Sequence, residues 1–294
     1  MQAKWRLGLL AALVLVRPAG ADEPSPVALL RGAEAARAKP ETVRVTLTLE
    51  DRGRSGDAVV ERDCLVEQAG AKRRFEVRKA TGSDLGVVVI NGTEVHSFRR
   101  AKHEDVRVCD LKYAVGVAGD LAFDPRILGL SDLMAADTTL PALLWYADPK
   151  AVKLVGPEKL NGVPVWRVRA TTAVAESEYW VEPESFRVHR RTTTWPGGAI
   201  DITSRFRADD KASPFPERVE IRRVDGPATE RTVRVTKFEV GPDLPAGRFG
   251  LGGMDLPLNT AVVDYRLHRR LGYWDGKGLS DDPVRPPNPR PKGK

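Results

Sequence analysis

The side chains able to do chemistry are few and scattered. Four histidines, His96, His103, His189 and His268, fall in strand-like and loop segments with no carboxylate at a telling spacing. The two cysteines, Cys64 and Cys109, stand apart, and no Cys-x-x-Cys or His-x-x-x-His spacing offers zinc a set of ligands. A serine hydrolase would need a Gly-x-Ser-x-Gly elbow, or a nucleophile that can be matched with His and Asp, and neither search gives a specific signal. No Gly-x-Gly-x-x-Gly follows a strand and opens a helix. Asp209-Asp210 and Asp281-Asp282 are adjacent carboxylates in loops, the usual pattern of solvated turns. No catalytic residue, metal site or cofactor is therefore expected, and a hydrolase is the least favoured reading.

The ends of the chain say more than its reactive groups. Lys4 and Arg6 precede the apolar run Leu7 to Val16, and Ala19-Gly20-Ala21 has the small-x-small pattern of a signal-peptidase site. The run is too short to span about 30 Å of hydrocarbon, so a cleaved signal is expected near Ala21 rather than a membrane anchor. The residues after it are Asp22, Glu23 and Pro24, with no cysteine to acylate. The reading is a soluble protein, periplasmic or otherwise exported, rather than a membrane-spanning one. In that compartment a disulfide between Cys64 and Cys109 is expected, two buried thiols being the alternative.

The formal net charge of +7 raises the question of nucleic acid. Lys4, Arg6 and Arg17 leave with the signal, and Arg285, Arg290, Lys292 and Lys294 lie in a tail without acids. Removing those seven from the 47 basic residues leaves 40, against 40 acidic ones. The body is neutral, and no nucleic-acid partner is expected.

Apolar residues make up 41% of the chain, enough for a sizeable core. Pro26 to Lys39 has helical spacing. Thr42 to Glu50 sets Val43, Val45, Leu47 and Leu49 against Arg44, Thr46 and Thr48, a half-buried strand. Five more strand-like runs follow before Tyr113, one pair joined by Asn91-Gly92, a strong hairpin signal. Between Ala114 and Asp148 the period lengthens to that of helices, with Leu130 and Leu133 on one apolar face and Leu143 and Leu144 on another. Strands then resume to Val240. Glu178 to Arg191 reads as a hairpin in which Phe186 and Val188 alternate with Arg187 and His189 across a four-residue turn at Pro183. Val262 to Leu271 is expected as a last strand or helix. Pro283 to Lys294 is rich in proline and is expected to be disordered.

This order of elements resembles the LolA-like group of periplasmic lipoprotein carriers and their lipid-binding relatives, the outer-membrane lipoprotein-sorting-like proteins. Local matches carry the resemblance. Phe75-Glu76-Val77 followed by Val87 to Val95 looks like the family's strand, Asn-Gly turn and strand. Leu160 to Val168 is similar to the next strand pair, Tyr179-Trp180-Val181-Glu182-Pro183-Glu184 to the aromatic strand with its acidic-Pro turn, and Phe215 to Val219 to the late hairpin. The region from Ala101 to Asp148 is long for that family, the part beyond Gly241 is extra, and no matched positions define a ligand set.

The resemblance implies an α+β, mainly antiparallel β fold: a curved, open half-barrel meander with an N-terminal helix and an inserted helical pair. Residues 1–21 would be the signal, 22–240 the open-barrel domain, 241–282 an extension and 283–294 a disordered tail. It implies a non-enzymatic binding protein that holds a lipid, acyl chain or lipoprotein in an apolar groove. The alternative is an envelope scaffold or sensor that uses the same fold to bind an envelope protein. A groove would be lined by Trp166, Tyr179, Val181 and Phe186 and by Leu130, Leu133, Leu143 and Leu144 of the helical insert, with ordinary core packing as the competing role of each.

Overall fold

The computed structural model describes residues 23–36, 41–52, 59–80, 85–99, 105–111, 128, 149–207, 215–224 and 229–284. One helix, α1 (Pro26–Ala35), opens the described chain. Ser25 caps it, its side chain accepting from the Ala28 N–H, and Pro26 gives up no hydrogen bond at the first turn. Leu29, Leu30 and Ala33 form its buried stripe.

Among the described residues everything else of size is strand: β1 (Thr42–Arg52), β2 (Val59–Ala69), β3 (Lys72–Ala80), β4 (Gly86–Asn91), β5 (Glu94–Arg99), β6 (Asp105–Asp110), β7 (Val152–Leu160), β8 (Val163–Thr171), β9 (Glu176–Val181), β10 (Val188–Trp195), β11 (Gly198–Arg205), β12 (Arg218–Val224), β13 (Thr229–Val240), β14 (Ala261–Asp264), β15 (Arg269–Trp274) and β16 (Leu279–Ser280). They form one open sheet of 16 strands in the order β16-β15-β14-β6-β5-β4-β3-β2-β1-β13-β12-β11-β10-β9-β8-β7. All neighbours are antiparallel except β14 and β6, which run parallel. Sequence neighbours pair as hairpins within β1–β6 and within β7–β13. The two meanders are joined by β1 against β13, where Leu49 faces Val233 and Val45 faces Phe238. A sheet this wide coils through its own twist. Bulges add to it at Thr236, opposite the Thr46–Leu47 step, and where β2 meets β3 at Asp63–Cys64.

The pairing register sorts side chains into two faces. Val168, Tyr179, Arg191, Ile202, Ile221, Val233, Leu47, Cys64, Val88 and Val95 lie on the face that also carries α1, called the inner face here. Arg44, Glu67, Arg74, Val89 and Val108 lie on the outer face. After β13 the chain turns at Gly241, crosses the outer face through short 3₁₀ turns at Ala246–Phe249 and Leu251–Gly253, and adds β14–β16 beyond β6. This strap buries Phe249 and Met254 against Val87, Val89, Phe98, Val106 and Val108.

Three expectations change. Cys64 and Cys109 are free, buried thiols and not a disulfide. Both side chains are inner-face, but three strands separate β2 from β6 in the sheet, whereas a disulfide needs Cα atoms within about 7 Å. Val262 to Leu271 is not one element but the hairpin β14–β15, turning at residues 265–268. Phe186 is not a strand residue: it sits in a wide turn at φ 57°, with the Phe186 N–H bonded to the Glu182 carbonyl. The helical pair expected between Ala114 and Asp148 lies outside the described residues, with Leu128 as the exception.

Candidate functional site

Among the described residues the inner face carries two of the apolar clusters, and it is organised in two parts. The first lies under α1. Trp166, Val168, Ala170, Tyr179, Val181, Phe186 and Val188 pack there against Leu29, Leu30 and Ala33. Tyr179 and Val181 are 1% and 0% exposed, while Trp166 and Phe186 keep some access. The four strand-side residues expected to line a groove are thus brought together, with the protein's own helix against them. Leu130, Leu133, Leu143 and Leu144 lie outside the described residues.

The second part spreads over β11, β12, β13 and β1–β6. Val43, Val45, Leu47, Leu49, Cys64, Val66, Phe75, Val77, Val88 and Val95 form its floor with Ile202, Val219 and Val233. Leu128 packs into it and is fully buried. Ile200, Ile221, Val235, Ile90, Leu85, Phe215 and Phe238 are only partly buried around it, with Phe215 and Phe238 stacked at 3.6 Å. Alternation in each strand produces this surface: one residue in two points inward, and in the clusters named above most of those are Val, Leu, Ile or Phe.

Several polar groups on the inner face pair with one another. Between the two parts, Arg191 lies 5.6 Å from the Tyr179 ring centre and donates through Nε to Thr193 Oγ1 at 3.2 Å; Thr193 and Ser177 share a bond of 2.9 Å. At one end, Asp51 accepts from Arg231 at 2.6 and 3.1 Å and also from Arg62. Burial pushes the Asp51 carboxyl up, but the bond and charge of Arg231 and the charge of Arg62 outweigh it and hold the group below the usual carboxylate range.

Neither buried thiol of this face is activated. Burial pushes the Cys64 thiol up to about 12 and the Cys109 thiol up to about 11, away from the reactive thiolate. His189, at the start of β10, sits edge-on to Phe206 at 5.1 Å, with Nε2 3.3 Å from Glu182. His96 is an outer-face residue of β5 and His268 occupies the β14–β15 turn; His103 lies outside the described residues. Among the described residues no three His, Cys, Asp or Glu side chains gather as metal ligands, and no helix is long and apolar enough to cross a membrane. What the surface can do is exclude water from hydrocarbon.

The outer face of β7–β11 contrasts with it. Trp180 is held between Arg167 and Arg190, whose guanidinium carbons lie 5.1 and 5.0 Å from the ring centre, and its Nε1–H donates to Glu158 at 2.7 Å. Arg167 and Arg169 bind Glu178, and Arg190 grips both oxygens of Asp201. This is a lattice of paired charges around a buried tryptophan.

The expected lining omitted α1 itself and the inward rows of β1 and β11–β13. The alternation of Val43 to Leu49 was visible in sequence, but nothing there says which strand lies opposite or which face curls inward.

No protein-family model matches the chain, and no curated protein matches it. Among solved structures it is similar to a LolA superfamily protein from Nitrosomonas europaea, with 12% identity and a TM-score of 0.53 over 79% of this chain and 100% of that one. It is equally similar to a DUF1329 family protein from Desulfovibrio piger, with 11% identity and a TM-score of 0.52 over 79% of this chain and 100% of the other. The fold is therefore LolA-like, as the local sequence resemblance implied.

Proposed function

We propose that the protein is an exported, non-enzymatic carrier that holds a lipid, an acyl chain or the acyl groups of a lipoprotein against its inner face. One observation carries this reading: Ile200, Ile221, Val235, Ile90 and Leu85 lie partly buried against an apolar floor, in a sheet with the LolA-like fold. Each methylene removed from water there contributes about 0.8 kcal/mol, so a chain of a dozen or more carbons binds without any catalytic group. The apolar run at Leu7 to Val16 and the small residues before Asp22 support export and cleavage near Ala21. The acyl-binding surface includes Trp166, Tyr179, Val181 and Phe186 only when α1 shifts from them; with α1 in place the second part of the face serves.

Native mass spectrometry of protein purified from its own host tests the proposal. The expected result is a lipid or acylated species bound at one per chain and lost on delipidation. Protein that carries none, but retains a stable protein partner, supports the scaffold reading instead and overturns this one.

A further inference from the structure

We propose that Gln68 selects the cargo of the inner face, favouring an acyl chain that is carried on an amide; this rests on the carrier reading above. Gln68 is the last residue but one of β2 and is 1% exposed. Its register partners are Val43 on β1 and Arg73 on β3, one pleat beyond the row of Val45, Val66 and Phe75, so it belongs to the inner face. Among the described residues its Oε1 is buried and accepts no hydrogen bond. Buried side-chain oxygens are nearly always paired, because an unpaired one forfeits the bonds it made to water.

The amide stands near the rim of the face. Val43 pairs on its other side with Val240, which is 63% exposed, and Ile90, the partner of Arg73 on β4, is only partly buried. β2 itself ends one residue on, and the chain turns at Gly70. An acyl chain lying on Leu47, Val45 and Val66 thus brings its head to Gln68. What that head must offer follows from the side chain, a carbonyl that accepts and an NH2 that donates. A carboxylate or an ester can only accept, and leaves Oε1 as it is. An amide N–H donates to Oε1 while the amide carbonyl accepts from Nε2, so both halves of Gln68 are met at once. A small N-acyl amide and an N-acylated polypeptide present this same group.

Delipidated protein is titrated with N-methylpalmitamide and with methyl palmitate, which differ only by N–H for O at the head. The expected result is that the parent binds the amide at least about tenfold more tightly, the worth of one to two hydrogen bonds. In Gln68→Met, close in shape but without donor or strong acceptor, that preference disappears, while the affinity for methyl palmitate and the melting temperature are not lowered, since the substitution removes an unpaired buried group. An N-palmitoylated peptide titrated alongside separates the sources: binding tighter than the small amide assigns the head to a polypeptide, weaker binding to a lipid amide, and either supports the proposal where it depends on Gln68. Equal affinity of the parent for amide and ester, or a preference for the amide that survives in Gln68→Met, would overturn the proposal and leave the carrier reading standing. A parent that binds neither ligand overturns both.

Discussion

Gly32 shows how one residue decides where α1 sits. A glycine inside a helix costs about 1 kcal/mol relative to alanine, yet a Cβ built at Gly32 would lie 2.3 Å from Phe186 Cδ1. Phe186 reaches that spot because its backbone takes the left-handed conformation at φ 57°, uncommon for a bulky residue. Helix and turn are fitted to each other. We expect Gly32→Ala to lower the urea midpoint by about 1–3 kcal/mol of stability, as overpacking does, despite alanine being the better helix former. In a Phe186→Ala background the same change should stabilise the protein. Stabilisation by Gly32→Ala in both backgrounds would show that this contact does not set the helix.

A second residue-scale prediction concerns acid. Hydrogen bonds from Arg266 hold the Asp264 carboxyl down at about 2, and the side chain is buried. Its value in the unfolded chain is near 3.9. A depressed carboxyl contributes stability that is fully present above the unfolded value and is lost as pH falls through the folded one. Denaturation followed by fluorescence should therefore show stability falling steadily from about pH 4 toward pH 2, with a shallower slope in Asp264→Asn. A variant slope equal to that of the parent would contradict the assignment.

At the scale of elements, the strap across the outer face is fastened by buried charge. Glu67, with no side-chain exposure, accepts from Arg44 at 3.0 Å, Arg248 at 2.9 Å and Arg74 at 3.4 Å; Arg74 is equally buried and donates through Nε to the Gly253 carbonyl at 2.9 Å. Glu67 and Arg74 belong to β2 and β3, while Arg248 and Gly253 belong to the strap. Removing Glu67 leaves the buried Arg74 guanidinium one carboxylate short, with Glu76 at 2.9 Å its remaining close one, and takes the shared partner from Arg44 and Arg248. Glu67→Ala should cost about 3–5 kcal/mol, and Arg248→Ala less, since its side chain is 30% exposed. Limited proteolysis should find new cleavage within 242–256 in both. Strap residues as protected as in the parent would refute the fastening.

The same elements show what the sequence could and could not reveal. Strands were legible because one inward residue in two is apolar, and Val43 to Leu49 were read on the correct strand. The strap was not legible: Phe249, Leu251 and Met254 stand among glycines with no period to mark them as buried. Glu67, Arg74 and Glu76 carry no mark of burial in the sequence, because nothing local says that residues 246–254 will lie across them. The disulfide expectation failed for a related reason, since apolar spacing gives the face of Cys64 and Cys109 and not the number of strands between them. Period-two reading of Phe186 failed where the turn departs from extended backbone.

For the whole molecule, the seam between β1 and β13 matters most. It closes two meanders into one sheet, with Val43 to Arg52 paired to residues 230–240, and so makes a single inner face from strands far apart in sequence. The two free edges are blunted. β7 carries a bulge at Val155 and Pro157 within its span, and β16 is two residues long. Neither edge strand is therefore a regular template for adding a further strand.

That surface is the central claim, and uptake of a fluorescent long-chain fatty acid by delipidated protein tests it most directly. The account predicts saturable uptake of one probe per chain, displaced by unlabelled fatty acid and abolished in Ile221→Glu and Val235→Glu variants that retain the parent circular dichroism spectrum. No uptake by the parent, or full uptake by both charged variants, would contradict it.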